Sequence, residues 1–176
     1  MLAGKRALVT GASKGLGRAI CHALVAAGAH VTGIARPSTE LGSLSAELGA
    51  AFEPWPYDVT GEEVLARIAA APAFDLLVNN AGTNRPQPFA EVTDEALDLM
   101  LDLNVRSAFR IARAAARKME RGGRIIHMTS QMGHVGSPGR TVYCMTKHAL
   151  EGLSKAMAVE LAPAGIRVNC IAPTFV

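Results

Sequence analysis

Residues 6–17 read Arg-Ala-Leu-Val-Thr-Gly-Ala-Ser-Lys-Gly-Leu-Gly, a short apolar run followed by glycines at 11, 15 and 17. The run 6–10 is strand-like. Residues 15–27 then carry apolar side chains at helical spacing (Leu16, Ile20, Leu24), up to a glycine at 28 suited to closing a helix. A strand that feeds a helix through a glycine turn is the opening unit of a wound sheet, and the alternation continues along the chain. Residues 30–35, 51–57, 74–79, 124–129 and 167–171 read as further strands. Residues 39–48, 61–71, 91–119 and 141–161 read as helices, the third preceded by a proline-broken loop over 83–88. Six strands alternating with helices imply right-handed crossovers and a parallel sheet covered on both faces. The expected class is α/β, a doubly wound parallel sheet in three layers, as one domain over residues 1–176 with no internal linker, repeat or low-complexity segment.

Composition agrees. With 49% hydrophobic but only 5% aromatic residues, Ala, Val, Leu and Ile must fill the core, which suits helices packed on a sheet. No apolar run reaches the length of a membrane span, and the start MLAGKRALVTG is too short and too soon structured for a signal peptide. The net charge of +3 is mild and its cations are scattered; the densest group, 113–124, reads as a solvated helix end and not as a nucleic-acid surface. Cys21, Cys144 and Cys170 are odd in number, far apart and set in apolar surroundings. Reduced, buried thiols in a cytoplasmic protein without a metal site are therefore expected.

Two stretches carry chemistry. In the first turn, Gly11-Ala12-Ser13-Lys14-Gly15-Leu16-Gly17 has the spacing Gly-x-x-x-Gly-x-Gly. It offers a tight turn, a backbone open to a pyrophosphate, and the free N–H groups of a helix N-terminus. In the second, SQMGHVGSPGRTVYCMTK (130–147), Tyr143 and Lys147 are four residues apart, so a helix puts both on one face. A free phenol titrates near pH 10, too high for acid–base work at neutrality, and an adjacent ammonium favours the phenolate. Ser130, thirteen residues before Tyr143 at a strand end, can reach it across the Gly/Pro-rich loop.

Gly11-x-x-x-Gly15-x-Gly17, Asn79-Asn80-Ala81-Gly82, Asn104, Ser130 and Tyr143-x-x-x-Lys147 occur in that order. Together they resemble the short-chain dehydrogenase/reductase family, and the resemblance runs over residues 2–176. It implies a Rossmann fold and hydride transfer between a nicotinamide cofactor and a small-molecule carbonyl or alcohol. Tyr143 would exchange a proton with the substrate oxygen, Ser130 would orient that oxygen, and Lys147 would lower the phenol's pKa and bond the nicotinamide ribose. Asn104 would keep a water in a proton relay behind Lys147. Gly11, Ser13, Lys14, Gly15, Leu16 and Gly17 would hold the pyrophosphate, with Asn80, Ala81 and Gly82 beside the adenosine part. Asp58 and Val59 would meet the adenine, although Asp58 also reads as an N-cap for the next helix. Pro173 and Thr174 would lie near the nicotinamide carboxamide.

Cofactor choice follows from charge. NAD-binding members of the family place a carboxylate at the end of the second strand, whereas this chain has Gly33-Ile34-Ala35-Arg36-Pro37. Arg36 and Lys14 together favour NADP, with NAD the alternative. Two departures from the family stand out. The segment 58–79 is short, and the chain ends at Ala172-Pro173-Thr174-Phe175-Val176, where relatives continue through a substrate loop, a helix and a last strand. Thr174 stands where they usually have glycine. These residues are therefore expected to fold yet to be a poor catalyst alone, and the active species to be a homotetramer or dimer built through helices 91–119 and 141–161. Gln131 and His134, with Asn84 and Arg85, are the polar candidates for substrate contact and suggest a sugar, polyol or hydroxy-acid type of substrate. A 3-oxoacyl-carrier-protein reductase remains an alternative. A non-catalytic nucleotide sensor should have lost one of Ser130, Tyr143 or Lys147, and a purely structural subunit would not need the glycine turn.

Overall fold

The computed structural model describes residues 2–174; Phe175 and Val176, the end of the run discussed above, lie outside them. Six parallel strands form one sheet: β1 (Arg6–Thr10), β2 (His30–Ala35), β3 (Phe52–Pro56), β4 (Leu76–Asn79), β5 (Arg124–Met128) and β6 (Arg167–Ile171), in the order β3-β2-β1-β4-β5-β6. The helices are α1 (Gly15–Ala26), α2 (Thr39–Leu48), α3 (Glu62–Ala70), α4 (Asp94–Met100), α5 (Ser107–Ala116) and α6 (Thr141–Leu161). Alternate strand residues serve opposite layers. Leu8, Ile34, Leu77, Ile125 and Val168 pack with Val64 and Ile68 of α3 and Ile111, Ala112 and Ala115 of α5. Val9, Val31, Ala35, Val78 and Met128 pack with Cys21, Leu41 and Leu44 on the other face. Burial on both faces is why these strands read as near-continuous apolar runs.

Strand order reverses between β1 and β4, which opens a crevice at their carboxyl ends. The glycine turn and the Asn79–Gly82 segment both emerge there. Gly28, with φ +94°, closes α1 as expected, its N–H donating to Val25 O.

The long helical region expected over 91–119 is helical without a gap from Asp94 to Ala116 and carries a π-helical turn within it. A 3-10 turn (Phe89–Glu91) precedes α4, whose N-cap Thr93 accepts from the Ala96 N–H. Between α4 and α5 lies a π-helical turn, Leu101–Arg106. Two polar side chains account for the turn: Asn104 points inward, and Ser107 Oγ donates to Leu103 O at 2.6 Å. The N-cap of α3 is Gly61, so Asp58 does not cap that helix. Its Oδ1 accepts from Thr60 N–H (2.9 Å) and Thr60 Oγ (2.7 Å), a side-chain turn that ends the segment after β3.

Candidate active site

The ends of β1 and β4 are laced together by one threonine and one asparagine. Thr10 Oγ1 accepts from the N–H groups of Asn80 (2.9 Å) and Ala81 (3.0 Å), and Asn80 Nδ2 donates to Thr10 O (3.0 Å) and Gly11 O (3.3 Å). Gly17 fills the space left: a Cβ there would lie 2.0 Å from Gly11 O and 2.6 Å from Asn80 Nδ2. Gly15 is the opposite case, with φ +53° and open space where its side chain would be. Lys14 occupies the N-cap of α1 in extended conformation without a side-chain cap, so the first-turn N–H groups are left to a ligand. Arg18, one turn in, donates to Ser13 O (3.4 Å), Glu40 O (3.0 Å) and Ser43 Oγ (3.2 Å), and so ties the turn to α2. The sequence reading missed Thr10 and Arg18; a threonine closing the first strand was the available signal. This cradle fits a dinucleotide's pyrophosphate.

At the ribose end, β2 stops at Ala35 and the exposed Arg36 follows. The Asp58 carboxyl is held below its ordinary range, chiefly by the Thr60 N–H and in part by the charge of Arg36. Glu40 is likewise lowered, mainly by backbone N–H and the Ser38 hydroxyl, with Lys14 adding its field. The field of Arg36 is thus felt at Asp58 after β3, and that of Lys14 at Glu40 in the first turn of α2.

The second cluster lies beyond β4 and β5. Ser130 is buried at the N-cap of a 3-10 turn (Gln131–Gly133), its Oγ accepting from Met132 N–H at 3.2 Å. Tyr143 sits in the first turn of α6, half-buried, and Lys147 one turn on is only 5% exposed. Lys147 Nζ lies 5.5 Å from the Tyr143 ring centroid and donates to Met128 O at 2.7 Å. Burial pulls its pKa from 10.5 to about 8, a fall that the nearby Cys170 opposes. Asn104 clamps the loop after Gly82: its Oδ1 accepts from Thr83 N–H (2.8 Å), and its Nδ2 donates to Thr83 O (2.8 Å) and Thr146 Oγ1 (3.1 Å). A Cβ on Gly82 would meet Asn104 Oδ1 at 3.2 Å and Lys147 Nζ at 3.8 Å, so the three converge. Beneath them is His127, fully buried, with Nδ1 3.4 Å from Asn79 Nδ2. Burial, then the charge of Lys147, pulls its pKa down to about 4, so it is a neutral imidazole at working pH.

The substrate candidates divide. Gln131 is half-buried, its N–H donating to Pro173 O at 3.0 Å, and Thr174 is exposed. Asn84 keeps a buried side-chain oxygen without a partner, and Arg85 is exposed. Val59 is buried, and Leu16 lies partly open at the turn. His134 is turned towards α6, its Nε2 3.3 Å from Glu151 Oε1. Glu151 was not singled out by the sequence reading, although it sits four residues past Lys147 on the same helix. Among the described residues there is no group that could hold a metal ion, and no helix is long and apolar enough to cross a membrane.

The comparisons agree with this geometry. Residues 5–176 match the family model for short chain dehydrogenase. The chain is 44% identical over 177 residues to the Gallus gallus protein named D-erythrulose reductase, covering 98% of this chain and 72% of the relative. It is 43% identical over 177 residues to the Sus scrofa protein named carbonyl reductase (NADPH) 2, covering 98% of this chain and 72% of that protein. The crystal structure of a short-chain dehydrogenase from Streptomyces avermitilis superposes with a TM-score of 0.92 at 38% identity, covering 97% of this chain and 65% of that one. This chain belongs to the short-chain dehydrogenases, NAD(P)-dependent oxidoreductases.

Proposed function

We propose that this short-chain dehydrogenase uses NADPH to reduce the carbonyl of a small polar substrate of the sugar or polyol type, and runs the reverse oxidation with NADP. The observation that carries the cofactor reading is the end of β2, where the exposed Arg36 follows Ala35 in place of a carboxylate, with Lys14 in the glycine turn as a second cation. The relatives named as reductases of D-erythrulose and of carbonyls with NADPH support it. The adenosine phosphates rest on the N–H groups of the α1 start, with Gly11, Ser13, Gly15, Leu16 and Gly17 as the floor. Asp58 and Val59 border the adenine, Asn80 to Gly82 line the adenosine side, and Pro173 and Thr174 flank the nicotinamide.

When bound, the reduced nicotinamide supplies a hydride to the carbonyl carbon. The remaining work falls to this chain. The Tyr143 hydroxyl donates its proton to the carbonyl oxygen, so the ketone gains one hydride and one proton and leaves as an alcohol. Ser130 Oγ donates to the same oxygen and fixes its place. The Lys147 ammonium stabilises the phenolate that remains until a proton returns from solvent through the relay at Asn104. Both hydrogens of the Asn104 amide are committed to Thr83 and Thr146, so a relay water can only donate to Asn104 and not accept from its side chain.

A second copy would pack on α5 and α6, where Phe109 (44% exposed) and Met145 (46%) are open, giving a homo-oligomer. The three free cysteines suit the cytoplasm.

The test is calorimetric titration of NADPH and NADH, with turnover measured on ketoses, polyols, other ketones and a 3-oxoacyl thioester. NADPH should bind more tightly, and Arg36→Asp should reverse the order. A charge-assisted phosphate contact contributes about 1.5–3 kcal/mol, roughly one to two orders of magnitude in affinity. Tyr143→Phe should abolish turnover while cofactor affinity stays within a few-fold. Equal parental affinities would overturn the cofactor reading, and a Phe variant that kept its rate would overturn the acid assignment.

A further inference from the structure

The loop that follows Ser130 is fastened to the helix that carries Tyr143 and Lys147. His134 Nε2 lies 3.3 Å from Glu151 Oε1, and Glu151, only 8% exposed, is one turn beyond Lys147. Gly133 closes the same contact: a Cβ there would meet Lys147 O at 3.1 Å and Glu151 Cγ at 3.2 Å. Ser130 is hydrogen-bonded into the loop, its carbonyl accepting from Gly133 N–H and its Oγ from Met132 N–H. A buried carboxylate needs such partners. Burial raises the Glu151 pKa, but the neighbouring Thr129 and Cys170 side chains and the charges of His134 and Lys155 outweigh it, so the carboxyl is held below its ordinary value.

We infer that Glu151 and His134 are a positioning pair that sets the reach of Ser130 to Tyr143 by pinning the 131–134 loop to α6. Neither touches the reacting atoms. His134 therefore faces the helix and is not a substrate ligand. The inference rests on the reductase reading above for its kinetic consequence and on geometry alone for its structural one.

The experiment compares Glu151→Gln, His134→Gln and the double variant. Each single variant should lower kcat about tenfold, with KM for substrate and affinity for NADPH within two-fold, because a hydroxyl displaced by a fraction of an ångström loses transition-state contact first. The double variant should lose no more than either single one, and Glu151→Asp should recover part of the rate. Hydrogen exchange of the 131–139 segment, read without any substrate, should quicken in all three. His134 is 54% exposed at its side chain, so its variant keeps the test alive if Glu151→Gln folds poorly. Unchanged exchange and kcat would overturn the pair. A raised substrate KM in His134→Gln beside a silent Glu151→Gln would return the histidine to the substrate. A parent protein inactive on every substrate, with exchange still quickened in the variants, would sink the reductase reading and leave the latch standing.

Discussion

Replacing Lys147 with methionine should stabilise the protein at neutral pH while ending turnover. In the fold this ammonium is nearly shut from water, and burial pulls its pKa from 10.5 to about 8. Below pH 8 the folded and unfolded chains both carry the proton, and the fold bears the whole cost of a buried charge. Between about 8 and 10.5 the folded chain has released it while the unfolded chain still holds it, so stability rises with pH across that window and then levels. A fall from 10.5 to about 8 corresponds to about 3 kcal/mol. Methionine is neutral at every pH and of similar length. It forfeits the bond to Met128 O, about 1 kcal/mol, and the contact with the Tyr143 ring, about 0.5–1 kcal/mol. The variant should therefore gain about 1–2 kcal/mol at pH 7, a rise of several degrees in Tm for a chain of this size. By pH 10.5 it should be slightly the less stable of the two. Urea titrations of parent and variant at matched pH values from 7 to 10.5 read the difference directly, since titrating groups that do not couple to Lys147 cancel. A difference that stayed constant across the range would refute the reasoning, because it would mean that the buried lysine titrates as it does in water.

Gly17→Ala drives a methyl to within 2.0 Å of Gly11 O, which is backbone and cannot yield cheaply. A loss of about 3 kcal/mol in denaturant titration, and NADPH binding weakened at least tenfold, are expected. Gly15→Ala meets open space, so it should lose only about 1 kcal/mol, from its positive φ. Asn104→Ala strips three hydrogen bonds from Thr83 and Thr146. It should destabilise by about 3 kcal/mol and speed amide exchange at 81–84; unchanged exchange there would deny the clamp.

The fold could be read because its signals are local. Parallel strands buried on both faces are apolar throughout, and the glycine turn states its own geometry. The π-helical turn within the 91–119 region could not, because it goes with partners distant in sequence. Asn104 turns inward to reach Thr83, 21 residues earlier, and Thr146, 42 residues later. A regular helix and one that carries such a π-helical turn look alike in sequence, because the turn adds only one residue to a helical run that continues from Asp94 to Ala116. Asp58 and His134 show the same limit. The N-cap reading of Asp58 gives way to Gly61, and the contact of His134 with Glu151 on α6 is one that the sequence does not display.

The site residues that could be named in sequence share a further property. Apart from Thr10 and Thr32, every buried polar residue described lies on β4, the π-helical turn, α5, β5 with the loop after it, or α6. The half built from β1 to β3 with α1 and α2 packs almost entirely with apolar side chains. The half that carries Asn104, Ser130, Tyr143 and Lys147 buries Asn79, His127, Glu151 and Ser154 as well; Asn79 Oδ1 and His127 Nε2 there, and Arg6 Nε, Thr32 Oγ1 and Trp55 Nε1 in the first half, have no hydrogen-bond partner among the described residues. Such atoms each cost about 1–3 kcal/mol when left dry. What distinguishes the second half is the number of polar side chains it buries, Lys147 among them, around a phenol, an ammonium and a hydroxyl that lie close together. A sequence optimised for stability alone would replace Lys147, Asn104 and His127 with apolar residues of similar size. That all three are present together, on three separate elements converging behind Tyr143, is what a proton-transfer site requires and a structural core does not.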